Sequence, residues 1–197
     1  MKRWGLSSIV AALLLTSVLT PPANALGNER DSNVWGHIFA GKASDKTYNA
    51  TTNSGAHLES KSKFEVTYNN FPAWAQTDIQ AALDVWAANF QSTVPIKVEA
   101  TWGRSQVYGL LGSARPGNYF NNFINAPDPT LWYPSALANA LAGRDLDKNN
   151  PEIVIQVNSA AAWDTRNDGK PSGAEYDLQS VFIHEIGHGL GFLSTDS

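Results

Sequence analysis

The sequence predicts an α+β domain, and three observations carry that prediction. Two alternating apolar stretches flank a segment of helical spacing between residues 64 and 102, a continuous apolar run spans 153–157, and a second helical segment follows Asp177. Phe64, Val66 and Tyr68 alternate with Glu65 and Thr67, the pattern of a half-buried strand. Thr77 or Asp78 can cap the helix that follows, in which Ile79, Leu83, Trp86 and Phe90 share one face and belong to the core. Ile96, Val98, Ala100 and Trp102 then alternate again, so a strand, a helix and a strand form a crossover unit within one sheet.

Residues 103–133 are rich in Gly, Asn, Pro and aromatic side chains and read as one long irregular surface loop. Its aromatics, Tyr108, Tyr119, Phe120, Phe123 and Trp132, either pack beneath the loop or line a groove. Residues 134–142 predict a short helix, with Pro134 at its first turn and Gly143 as its stop. Asp145, Asp147 and Asn149 have the alternate spacing of a calcium loop. Asn150 stands where that loop needs glycine and Gln156 where it needs glutamate, so an ordinary turn is expected and calcium is unsupported. The run 153–157, bounded by Pro151 and Asn158, predicts a buried strand. Asp164, Asp168 and Gly169 lie in a further polar loop, where Arg166 argues against a cation.

Composition narrows the function classes. The chain has 197 residues with 43% hydrophobic and 16% charged side chains, enough for one packed domain and unlike a disordered chain. Its formal charge is −4 and no block of lysine or arginine occurs, so nucleic acid and anionic membrane surfaces are not expected partners. There is no cysteine, which leaves nitrogen and oxygen as the only metal donors. Lys2 and Arg3, an apolar run from Ile9 to Leu19 and Ala23-Asn24-Ala25 are the three regions of a secretory signal peptide, with cleavage expected after Ala25. The run is too short to span a bilayer, so an exported chain without a stable membrane anchor is expected. Residues 26–60 are polar and without sustained periodicity, a loosely ordered lead-in or pro-region that includes an acceptor-like Asn49-Ala50-Thr51; the main subdomain is placed at 61–197.

One motif carries chemistry. His184-Glu185-Ile186-Gly187-His188 follows the candidate cap Asp177 and the apolar face Leu178, Val181, Phe182 and Ile186. On a helix, His184 and His188 project from one side a turn apart, where both can reach one ion. Glu185 lies about 100° further round, placed to act on a metal-bound water as general base. Zn²⁺ lowers the pKa of such a water to about 7, and hydrolysis of an amide bond is the expected reaction. The alternative for the pair is two core histidines. Gly187, Gly189 and Gly191 each cost a helix about 1 kcal/mol relative to alanine, which speaks for a site or a close backbone approach.

His184 to Phe192, HEIGHGLGF, resembles the active-site helix of the metzincin-type zinc metallopeptidases, whose longer pattern is HExxHxxGxxH. The stretches from Phe64 to Trp102, NYFNNF to LANALAG, and IVIQVNS before the motif are similar to a group of secreted bacterial metallopeptidases. The resemblance implies a zincin-like amino-terminal subdomain, a twisted mixed sheet with a backing helix and an active-site helix. It also implies one catalytic Zn²⁺ held by His184 and His188, with Glu185 as general base and a protein or peptide as substrate.

The chain departs from the pattern at Ser194, where the third histidine belongs, and ends at Ser197. Asp196, His37 and His57 are the other candidates for a third ligand. Relatives of the leishmanolysin-like group place an insertion before the third histidine, so the resemblance implies a chain truncated just after the active-site helix. The family's methionine turn would lie beyond it too, since Met1 is the only methionine. Two rival functions stand beside the peptidase: an inactive or incomplete fragment that acts as a surface-binding module, and a metal hydrolase of another substrate. Nothing in the sequence sets the oligomeric state.

Overall fold

The computed structural model describes residues 27–31, 34–40, 60–166 and 170–193. The expected signal peptide and its cleavage site, Asn49-Ala50-Thr51, His57, Asp168, Gly169, Ser194 and Asp196 lie outside the described residues. Among the described residues the fold is mixed α/β, with three helices and two sheets.

The strands are β1 (Asn28–Asp31), β2 (Gly36–Phe39), β3 (Phe64–Asn69), β4 (Ile96–Gly103), β5 (Leu110–Pro116), β6 (Asn118–Asn121), β7 (Tyr133–Pro134) and β8 (Ile153–Asn158). The helices are α1 (Ala73–Asn89), α2 (Ser135–Ala142) and α3 (Leu178–Leu190). The main sheet runs β2-β5-β8-β4-β3, and β1, β6 and β7 form a small one. β3, β4 and β8 are parallel, whereas β5 and β2 are antiparallel additions at one edge. Parallel neighbours need a crossover, and α1 supplies it between β3 and β4.

Alternation in β4 and β8 buries Ile96, Val98 and Ala100 beside Ile153, Ile155 and Val157. Ile79 and Leu83 of α1 and Leu178, Phe182 and Ile186 of α3 join them in one core. A satellite core of Phe120, Phe123, Ala138 and Leu146 lies around α2 and β6. No helix of the described residues is long and apolar enough to cross a membrane.

Three local expectations change. Helix α1 starts after Pro72, whose fixed φ suits a helix entry, so Thr77 and Asp78 lie inside the helix and cap nothing. The loop expected over 103–133 contains β5 and β6. Strand β5 escapes detection because Gly112, Ser113 and Ala114 are buried in succession, which leaves no alternation to see. Of the loop aromatics, Phe120 and Phe123 are buried and Tyr108 is fully exposed. The lead-in contributes β1 and β2, each held by a partner strand distant in sequence.

Candidate functional site

Helix α3 begins as its sequence dictates. The Asp177 side chain accepts the Ser180 amide at 2.9 Å and caps the first turn. Gly191 ends the helix in a left-handed conformation (φ 109°), donating its amide to His188 at 3.0 Å, and Phe192 donates to Gly187 at 3.0 Å. Leu178, Val181, Phe182 and Ile186 face the core, which leaves His184 exposed and His188 half-buried on the other side.

The two imidazoles meet each other. Their Nε2 atoms are 2.8 Å apart and their rings are nearly perpendicular, at 88°. His188 Nδ1 lies 2.7 Å from the Phe192 carbonyl. A carbonyl only accepts, so Nδ1 carries the proton; with both rings neutral, His188 Nε2 accepts and His184 Nε2 donates. Partial desolvation, and then the neighbouring His188, lower the His184 pKa. The backbone therefore orients His188 in one tautomer and one rotamer.

Glu185 is completely buried. Neither of its carboxyl oxygens has a hydrogen-bond partner of ordinary geometry among the described residues, and the Ile38 backbone is the one group that favours its charged form. Burial pushes its pKa up to about 8, so the carboxyl is mostly protonated at neutral pH. Two strands enclose it. A Cβ built on Gly112 of β5 would lie 3.2 Å from Glu185 Oε1, and β2 runs antiparallel outside β5 with Ile38 opposite Gly112.

Strand β2 also covers His188. A Cβ on Gly36 would fall 2.1 Å from His188 Cγ and 2.2 Å from Cδ2, so the backbone of β2 lies directly on the imidazole. Gly36 is buried and Ile38 half-buried, whereas His37 and Phe39 face solvent. Just before the strand, the Trp35 ring takes the Arg115 guanidinium at 5.1 Å. Gly36 and Ile38 were missed in the sequence, where the only signal is a short apolar tetrapeptide in a polar run.

Gly189 of α3 has a packing cause. A Cβ on Gly189 would lie 2.2 Å from Ile153 Cγ2 in β8, and one on Gly187 would reach Trp86 at 3.4 Å. A close approach of helix to sheet therefore accounts for Gly189 without a site.

The other acidic clusters are internally partnered. Asp145 and Asp147 accept backbone amides two residues on, at 3.0 and 2.9 Å, and Lys97 Nζ bonds Asp145 at 2.9 Å. Asp164 is bonded by Arg166 Nε at 2.8 Å. In the 145–149 loop these bonds are those of an ordinary turn.

The zinc expectation requires correction. A catalytic zinc site takes three protein ligands. Among the described residues no group of three or more His, Cys, Asp or Glu is arranged to hold a metal ion, calcium included. His37, one of the candidates for a third ligand, lies on the solvent side of β2 and stacks on Phe39. Two imidazoles bonded to each other are too few for such a site. No family model matches the chain, and no curated protein or solved structure matches it. The metzincin resemblance, the hydrolase and protease activity and the zinc cofactor therefore fall together, and what stands at this end of the sheet is an oriented histidine and a sealed carboxyl beneath an edge strand.

Proposed function

We propose that this chain is a polypeptide-binding module, which accepts an extended segment of a partner protein by strand addition to the edge of β5. One observation carries the reading. The chain's own β2 lies antiparallel on that edge, and its seat has a complete set of contacts: a surface on His188 for the backbone, a half-buried place for Ile38 and the Arg115 guanidinium for the Trp35 ring. Sheet edges recruit extended peptides through main-chain hydrogen bonds, while alternate side chains supply specificity. β2 occupies the seat as a partner would.

His188 and Glu185 then serve as the floor of the groove, with His184 buttressing His188. The chemistry is recognition, with no bond made or broken. The signal-like amino terminus adds the proposal that the module works outside the cell, on exported or surface proteins.

A tethered strand has an effective concentration in the millimolar range, so it must be displaced before a free peptide can bind. The test uses the full chain carrying Ile38→Asp, which places a charge in the half-buried seat and expels β2. A fluorescent peptide of residues 33–41, Asn-Val-Trp-Gly-His-Ile-Phe-Ala-Gly, is titrated against it by anisotropy. Saturable binding is expected, at least tenfold tighter than to the unaltered chain. Absence of binding, in a variant whose β4 and β8 amides remain protected from hydrogen exchange, overturns the proposal.

A further inference from the structure

We infer that His188 is the specificity-determining residue of this edge, restricting the bound strand to glycine at the position opposite Ala114. The inference rests on the strand-addition reading and names the class of segment recognised: an aromatic residue, then glycine, then any residue, then an apolar one.

The register fixes the positions. Gly36 pairs with Ala114, His37 with Ser113 and Ile38 with Gly112. Glycine within a strand is unfavourable, so its presence needs a reason. Gly36 is not among the positive-φ glycines, which removes backbone conformation as that reason. Space remains. Any side chain at this position would begin 2.1 Å from His188 Cγ, 2.2 Å from Cδ2 and 2.6 Å from Nδ1.

The imidazole cannot readily yield. The clash is at the root of the ring, where a small torsion moves atoms least. Larger rotation gives up the Nδ1 bond to the Phe192 carbonyl and the Nε2 contact with His184. Phe192 is in turn packed on Trp86, with ring centroids 5.8 Å apart, and Trp86 Nε1 donates to the Ile183 carbonyl at 2.9 Å. His188 thus stands against a buttress built from both helices.

The neighbouring positions add chemistry of their own. Two residues after the glycine the side chain packs against the main core, where Ile38 lies. One residue before it, an aromatic ring meets Arg115, whose Nη1 is fixed on the Pro116 and Gly117 carbonyls at 2.9 Å each. The residue between faces solvent and is free to vary.

The experiment has two arms. In the first, peptides 33–41 with glycine or alanine at position 36 are titrated against the Ile38→Asp chain, and against Ile38→Asp combined with His188→Ala. At least a tenfold preference for glycine is expected with His188 present, falling below threefold in the His188→Ala chain. Equal affinities for the two peptides, or a preference that survives His188→Ala, overturn the inference.

The second arm needs no free peptide. Hydrogen exchange at the amides of residues 110–114 is followed in the full chain, in Gly36→Ala, and in Gly36→Ala with His188→Ala. Loss of protection in the single variant and its return in the double variant is the expected result. Unchanged protection in Gly36→Ala overturns the inference. If no peptide binds in the first arm but the second gives the expected pattern, the module reading fails while the pairing of glycine with His188 stands.

Discussion

Two glycines of one helix, Gly187 and Gly189, are expected to respond to alanine with opposite signs. Alanine in place of glycine favours a helix by about 1 kcal/mol wherever the methyl group has room. At Gly187 it does, since the nearest neighbour would be Trp86 at 3.4 Å, an ordinary van der Waals separation. At Gly189 the methyl would meet Ile153 Cγ2 at 2.2 Å, Cγ1 at 3.0 Å and Cβ at 3.1 Å. Ile153 is fully buried in β8, which is paired on both sides, so the conflict cannot be relieved by moving one flexible tip. Overpacking of this kind costs about 1–3 kcal/mol, and contact this close belongs at the upper end. Subtracting the helix gain leaves a net destabilisation of about 2 kcal/mol for Gly189→Ala. In a chain of this size that lowers Tm by about 4–8 °C, while Gly187→Ala raises it by about 2–4 °C. Thermal unfolding followed by circular dichroism separates the two. If both variants shift in the same direction, the close approach of α3 to β8 is refuted as the reason for Gly189.

Three further expectations concern buried and half-buried groups. Asp78 is 6% exposed, and burial, then Asp177 and Asp164, raise its pKa to about 7; burial likewise raises Glu152 to about 7. Both values lie above those of the unfolded chain, so the stability they contribute is complete below about pH 4 and is lost as pH rises through 7. Urea unfolding should show greater stability at pH 5 than at pH 8, with Asp78→Asn recovering on the order of 4 kcal/mol at pH 8 at most; a flat profile in the unaltered chain contradicts these burials. Asp177→Ala removes the α3 cap and should cost about 1 kcal/mol in urea unfolding, whereas a loss below about 0.3 kcal/mol means that the 2.9 Å bond to Ser180 contributes little. Trp86→Phe keeps most of the packing and deletes the Nε1 bond to Ile183, so about 1 kcal/mol should be lost, and an unchanged Tm contradicts that bond.

What the sequence discloses is local, and what it conceals depends on distant partners. β4 is legible because its side chains alternate, and β8 because a continuous apolar run stands between Pro151 and Asn158. α2 and α3 are legible because Gly143 and Gly191 end them and Asp177 opens α3. β5 is not, because both its faces are covered and its small residues carry no period. β2 is invisible for another reason: four residues become a strand only because Ala114, Ser113, Gly112 and Leu110 are there to pair with them. The same division runs through the site. A helix with His184, Glu185 and His188 on its turns follows from spacing alone, but not the strand that seals it or the bond between the two imidazoles. Gly189, one of the glycines that point to a catalytic helix, has a packing cause, since a close helix on a sheet makes the same demand for a missing side chain.

Hydrogen exchange on the full Ile38→Asp chain, with and without the peptide of residues 33–41, tests strand addition most directly. Those amides among residues 111–114 that point toward β2 should exchange quickly in the variant and regain protection when peptide is added, while those that point toward β8, and those of β4 and β8, stay protected throughout. If the β2-facing amides of β5 are as protected without peptide as with it, or gain no protection at saturating peptide, the edge of β5 is not a seat for a partner strand.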